Sequence, residues 1–181
     1  MKYCTECVFP AVAATPLTFD ENGVCSGCRA NKHKKFINWE RREELFKELI
    51  DEYRTDSEYD CILPVSGGKD SYFAAHLAKK YGLKALMVTY HGNNYMAEGE
   101  RNLYKMKDEF DFDHIIFRPS TKVLKKLNVL GLKITGDMNW HCHAGIFTYP
   151  MQIAIKYKIP LVFWGDHGFT EQGGMYSHND F

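Results

Sequence analysis

Residues 66–71 read Ser-Gly-Gly-Lys-Asp-Ser, directly after the apolar run 61–65 (Cys-Ile-Leu-Pro-Val) and directly before the helix-patterned stretch 72–80. A strand, a glycine turn and a helix start place backbone N–H groups and the positive end of a helix dipole around one point, which suits a phosphate. Gly67 and Gly68 let the backbone approach an anion closely. Lys69 adds a positive charge, and Ser66 and Ser71 add hydroxyl donors. The spacing is neither G-x-x-x-x-G-K-[ST] nor G-x-G-x-x-G, so the two best-known phosphate loops are excluded.

A second chemistry lies at the N-terminus. Cys4-x-x-Cys7 and Cys25-x-x-Cys28 are separated by 17 residues. Each C-x-x-C turn directs two thiolates at one point, and two such knuckles complete a closed tetrahedral site. Zinc is the expected metal, and iron fits the same cage. With Pro10, Pro16 and the turn 20–23 between the pairs, there is little apolar sequence for an independent core, so metal binding supplies the folding energy. Four cysteine ligands leave no open position, which makes the site structural.

The third cluster is 139–145, Asn-Trp-His-Cys-His-Ala-Gly, placed before a helix expected from about residue 146. On an extended backbone His141 and His143 share one face while Cys142 turns away, so the two histidines are candidate catalytic or substrate-binding groups. Burial of Trp140 is the alternative anchor for this loop.

The elements that must position these groups alternate along the chain. Strands are expected at 60–65, 84–90, 114–118 and 160–164. Helices are expected at 71–81, 97–110, 121–127 and 146–156. Such alternation implies a parallel sheet with crossovers on both faces, and ligands at its carboxyl edge. Three segments end strands there: 89–95, 118–121 and 165–168. From them Thr89 is a candidate nucleotide contact and Asp166 a candidate catalytic carboxylate, with His167, His91 and Asn93 nearby. His76 and His114 fall inside elements and read as structural or solvated. Upstream, 29–37 is a basic connector read as a solvated helix face, and apolar residues at helical spacing from Trp39 to Tyr53 mark a linking helix. The resulting division is 1–35, a Cys4 module; 36–57, a linker helix; and 58–181, a nucleotide-binding α/β domain.

Composition narrows the class. The 181 residues are 45% hydrophobic and 14% aromatic, which supports a real core. Lys plus Arg equals Asp plus Glu at 23 each, so charge gives no support for a nucleic-acid partner. No run approaches the roughly 18 apolar residues of a membrane span. A cytoplasmic protein is expected, and there six cysteines suggest metal ligands or reactive thiols more than disulfides.

The loop at 66–71 resembles the PP-loop of ATP pyrophosphatases, S-G-G-x-D-S. Together with the cysteine pairs, 60–71, 142–150 (Cys-His-Ala-Gly-Ile-Phe-Thr-Tyr-Pro) and 159–165 (Ile-Pro-Leu-Val-Phe-Trp-Gly), the chain resembles the N-acetyl sugar amidotransferases of that superfamily. The resemblance implies ATP and Mg2+ as well as structural Zn2+. It implies conversion of a sugar N-acetyl group into an acetamidino group, in bacterial lipopolysaccharide or flagellin-glycan pathways, on pseudaminic-, legionaminic- or mannuronic-acid type sugars. It also implies a separate glutaminase subunit as the ammonia source, since Cys61 and Cys142 sit in no glutaminase-like glycine elbow. Family members continue beyond residue 181, so a C-terminally incomplete domain is expected. A homo-oligomer is compatible with this reading. The competing functions are a PP-loop tRNA thiolation enzyme, which needs cysteines beyond Cys61 and Cys142, and a non-catalytic nucleotide-binding fragment.

Overall fold

A computed structural model describes residues 2–12, 17–54 and 56–165. These form two units, the first ending at Leu45 and the second running from Phe46 to Gly165. In the first unit, antiparallel bridges Tyr3–Pro10 and Phe19–Cys25 bracket the cysteines, followed by α1 (Ser26–His33) and a 3-10 turn (Lys34–Phe36). Its small core is Cys4, Val24 and Cys25, with Leu17, Phe19 and Cys28 against them. The boundary between the units falls inside α2 (Trp39–Tyr53).

The second unit alternates β1 (Cys61–Pro64), α3 (Lys69–Lys80), β2 (Ala85–Tyr90), α4 (Ala97–Phe110), β3 (Asp113–Phe117), α5 (Thr121–Thr135), α6 (Trp140–Tyr157) and β4 (Leu161–Val162). The four strands form one parallel sheet in the order β3-β2-β1-β4, with Cys61 opposite both Ala85 and Leu161 and Leu86 opposite Asp113. This is the parallel α/β sheet that the alternating pattern predicts. Period-two geometry divides the strand residues between two faces. Cys61, Leu63, Val65, Ala85 and Met87 pack with Ile50 of α2, Ala74, Ala75 and Ala78 of α3, and Leu103, Met106 and Phe110 of α4. Ile62, Leu86 and Val88 pack on the other side with Ile153, Ala154 and Ile159. Fully burying a residue such as Leu63 or Met87 contributes about 1.5–3 kcal/mol.

The chain runs outward from β1 to β2 to β3, then returns through α5 and α6 to β4 on the other side of β1. The order therefore reverses at β1, which places the ligand crevice at its carboxyl end. Pairing there is unequal. On the β2 side it continues through Pro64 opposite Val88 and a Val65 N–H to Val88 carbonyl bond of 3.0 Å. On the β4 side the register ends at Ile62 opposite Val162, with one further bond from Phe163 N–H to the Ile62 carbonyl.

Two helices differ from expectation. α5 continues to Thr135, where Gly136 ends it in the left-handed conformation (φ 74°). α6 starts at Trp140, so residues 140–145 are helical and not a loop. Gly145 explains how that turn fits: a Cβ there would lie 2.6 Å from the Tyr90 ring. Among the described residues, no helix is long and apolar enough to cross a membrane.

His114 of β3 gives the sheet a pH dependence. Burial lowers it from the ordinary 6.5 to about 4. The unfolded chain therefore binds the extra proton first, and stability is lost as pH falls through that window. Urea unfolding is expected to show a loss of about 1–3 kcal/mol between pH 6.5 and 4. A His114→Gln variant should show a shallower slope, with buried His91 and His141 accounting for the remainder.

Candidate functional site

At the end of β1 the chain folds back on itself through two serines. The Ser66 N–H donates to Ser71 Oγ (2.8 Å), the two hydroxyl oxygens are 3.1 Å apart, and the Gly68 N–H reaches Ser66 Oγ at 3.4 Å. Gly67 has φ +81°, and a Cβ there would lie 2.8 Å from the Leu103 backbone nitrogen of α4. Only glycine combines this conformation with that approach. Gly68 occupies the cap position of α3 and has no side chain to accept from the first-turn N–H groups, which also have no preceding helical turn to bond. A glycine-capped helix start is a geometry that suits an anion.

Lys69 and Asp70 stand exposed at the mouth of the loop, paired at 2.6 Å. An exposed pair contributes about 0–1 kcal/mol, so either partner exchanges readily for a ligand: the ammonium for a phosphate, the carboxylate for a divalent cation. Ser66 is exposed, whereas Ser71 is buried and its hydroxyl closes the loop. Beyond β4 the chain returns to the same place, and a Cβ on Gly165 would lie 2.8 Å from the Asp70 carbonyl oxygen. Asp166 and His167 lie outside the described residues.

Thr89, expected as a nucleotide contact, has two internal partners for its hydroxyl. It is 2% exposed, and its hydroxyl donates to the Val65 carbonyl (2.6 Å) and accepts from His114 Nε2 (2.9 Å). It thus ties β2 to the last residue before the phosphate loop and to β3. His114 is structural, as its position inside a strand predicts, and His76 is exposed.

The segment after β2 is clamped by a network that sequence spacing does not reveal. Fully buried His91 accepts the Asn93 N–H at Nδ1 (2.9 Å) and faces Glu100 Oε1 with Nε2 (3.1 Å). Arg118 Nη2 donates to Glu100 Oε2 (2.5 Å), and Asn93 Nδ2 donates to the Pro119 carbonyl (2.9 Å). Burial and the Arg118 charge hold His91 below its ordinary value, so it works as a neutral hydrogen-bonding group. The partners come from α4 and the end of β3. Only the folded topology brings Glu100 and Arg118 to one histidine.

The 139–145 cluster is reorganised by its helix. Successive residues turn by about 100°, so His141 and His143 do not share a face. His141 is 5% exposed, with Nδ1 3.4 Å from the Tyr90 hydroxyl. The Asn128 amide nitrogen fits 2.6 Å from Nε2 and 3.1 Å from the Met138 and Leu124 carbonyls. Nε2 is then an acceptor and the proton sits on Nδ1. His141, expected as a catalytic group, is held in this structure between α5, α6 and β2. Cys142 Sγ is 3.7 Å from Nε2, but that lone pair is engaged and burial pushes the thiol up, so the pair is not an activated thiolate. His143 is exposed, 3.5 Å from Asp137 Oδ2, and Trp140 is exposed too, so it does not anchor the segment by burial.

The four N-terminal cysteines converge. Their sulfurs all lie within 4.8 Å of one another, with Cys4–Cys28 at 3.9 Å and Cys7–Cys25 at 3.7 Å. Thiolates about 2.3 Å from a shared tetrahedral zinc stand about 3.8 Å apart, so the donor set and spacing fit. Cys4 and Cys7 come from a turn, with the Glu6 N–H on Cys4 Sγ (3.4 Å). Cys25 and Cys28 come from the cap and first turn of α1, where the Cys28 N–H meets Cys25 Sγ (3.4 Å). The second pair therefore uses a helix start and not a second turn-type knuckle. Donation from the Cys7 N–H, helped by those of Cys25 and Glu6, draws Cys4 down to about 6. Burial pushes Cys25 and Cys28 up, the expected cost of gathering thiolates without a cation.

Comparison with known proteins locates the fold. NMN synthetase from Francisella tularensis superposes with a TM-score of 0.58 at 15% identity, over 78% of this chain and 60% of that one. The NH3-dependent NAD synthetase from Campylobacter jejuni, in complex with a nitrate ion, gives 0.52 at 14% identity, over 78% and 62%. The architecture is thus the parallel α/β fold shared with those synthetases, and the chain spans about three-fifths of the length of those two proteins. No protein-family model matches the sequence, and no curated protein matches it.

Two measurements check this site. Elemental analysis of purified protein should find about one zinc per chain, lost in Cys25→Ser. Gly67→Ala should lower stability by about 1–3 kcal/mol in urea, because a Cβ strains the backbone and displaces α4.

Proposed function

We propose that this chain is the ATP-using part of an amidotransferase that converts the N-acetyl group of a sugar into an acetamidino group. The observation that carries the reading is the glycine-capped start of α3, directly after the central strand, with Lys69 and Asp70 exposed beside it. Loop N–H groups and Lys69 hold the β- and γ-phosphates of ATP and stabilise charge on departing pyrophosphate. Asp70 would hold Mg2+, which supplies further neutralisation of phosphate charge.

An acetamide oxygen leaves poorly. It attacks the α-phosphorus, pyrophosphate departs, and the acetamide nitrogen loses its proton as the adenylylated imidate forms. Ammonia adds to the imidate carbon, the C–O bond to AMP breaks, and the amidine remains. An ammonia-dependent synthetase on the same fold supports ammonia as the second nucleophile. The sugar assignment rests on the resemblance carried by residues 60–71, 142–150 and 159–165, which also points to surface-glycan biosynthesis.

Ammonia is supplied by a partner glutaminase. Cys61 lies inside β1 with no exposed surface, and burial pushes its thiol up to about 12. Cys142 faces a histidine whose nitrogen is already engaged. Neither is placed to attack glutamine.

With ammonium chloride and N-acetylated nucleotide sugars as substrates, the protein should release pyrophosphate and give a product in which oxygen is replaced by NH, read by mass spectrometry. Lys69→Ala should abolish that release while leaving zinc content intact. Undiminished release by this variant would overturn the assignment.

A further inference from the structure

α5 turns its less apolar side toward the protein. The residues it packs on α6 include Leu124, Asn128 and Gly131, of which Asn128 bonds His141 and Gly131 lies against Trp140 and Asp137. The richer stripe is Val123, Leu127, Leu130 and Ile134, spaced four, three and four apart. At helical geometry these four fall within an arc of about 60°. Val123 is 48% exposed, Leu130 51% and Ile134 78%. Such spacing is that of a helix-pair seam, half-buried at Leu127 and otherwise exposed among the described residues.

The charge around the stripe says what kind of partner fits. Over Thr121–Thr135 there are four lysines, Lys122, Lys125, Lys126 and Lys133, and no acidic residue. None of the four forms an ion pair with another described residue. Lys125 and Lys126 line, with Val129 and Leu130, a shallow depression of about 500 Å³. Two copies of α5 facing one another would oppose four positive charges with four. A membrane-binding face carries aromatic anchors, and although Val129 and Leu132 add exposed apolar surface elsewhere on the helix, α5 has no aromatic residue. A helix with an apolar seam flanked by carboxylates satisfies both the spacing and the charge.

We infer that α5 is a docking helix for an acidic amphipathic helix of a partner protein. The inference stands apart from the reaction proposed above, since it concerns binding and not turnover. Its probe is a labelled synthetic peptide of about three heptads with leucine at the seam and glutamate beside it, titrated against the full chain by fluorescence anisotropy. Saturable binding is expected, weakening with added salt. Leu130→Glu with Ile134→Glu should weaken it by about tenfold or more, and Lys126→Glu with Lys133→Glu should shift preference toward a lysine-flanked peptide. All four positions are exposed, and circular dichroism checks that the variants stay folded. Failure of the acidic peptide to bind, or binding indifferent to salt and to these variants, overturns the inference. So does a dimer of the protein alone by light scattering that Leu130→Glu with Ile134→Glu dissolves, or preferential binding to phosphatidylglycerol vesicles.

Discussion

The geometry of the phosphate loop depends on how the last residue of the central strand is held. Val65 donates its N–H to the Val88 carbonyl and receives the Thr89 hydroxyl on its own carbonyl, so both of its backbone groups are fixed by β2. The next residue, Ser66, is held by Ser71 across the turn. A phosphate cradle acts through the fixed direction of its N–H groups, and these bonds set that direction before any ligand arrives. Thr89 extends the same constraint to β3 through His114. Three strands and one helix start are thereby referenced to a single point at the carboxyl edge.

The cysteine unit solves a different problem. Cys4, Val24 and Cys25 with a few partly buried neighbours are too small a core to fold a chain segment unaided. A closed four-thiolate site contributes folding energy directly, and the start of α1 lowers the cost of bringing negative charge there. The cysteine cluster and the glycine loop thus belong to different elements of the chain.

What could be read from sequence alone depended on how local each signal was. Ser66 to Ser71 and the two cysteine pairs are local, so residue type and spacing are enough to single them out, and the structure brings the four cysteines together. The strands were legible because β1 and β2 are short apolar runs bounded by polar turns. The 139–145 segment was misplaced because histidine, cysteine and asparagine carry little helix preference, and what makes it helical is the fit of Gly145 on Tyr90, a contact made only after folding. Thr89 looked like a ligand because it ends a strand at the functional edge, yet its hydroxyl has two internal partners there. Glu100 carries no local signal, and although the segment from Arg118 is marked by its place at a strand end, their convergence on His91 spans three elements.

Pro64 is an unexpected residue for a strand paired on both sides. The backbone N–H groups of alternate residues in β1 point to β2, as at Val65, which turns those of Ile62 and Pro64 toward β4. Proline has no N–H to offer, and the β4 ladder ends two residues before it. One imino acid therefore unzips one side of the central strand while the other side stays laced. The strand that carries the loop is thus held from one side only at its last residues.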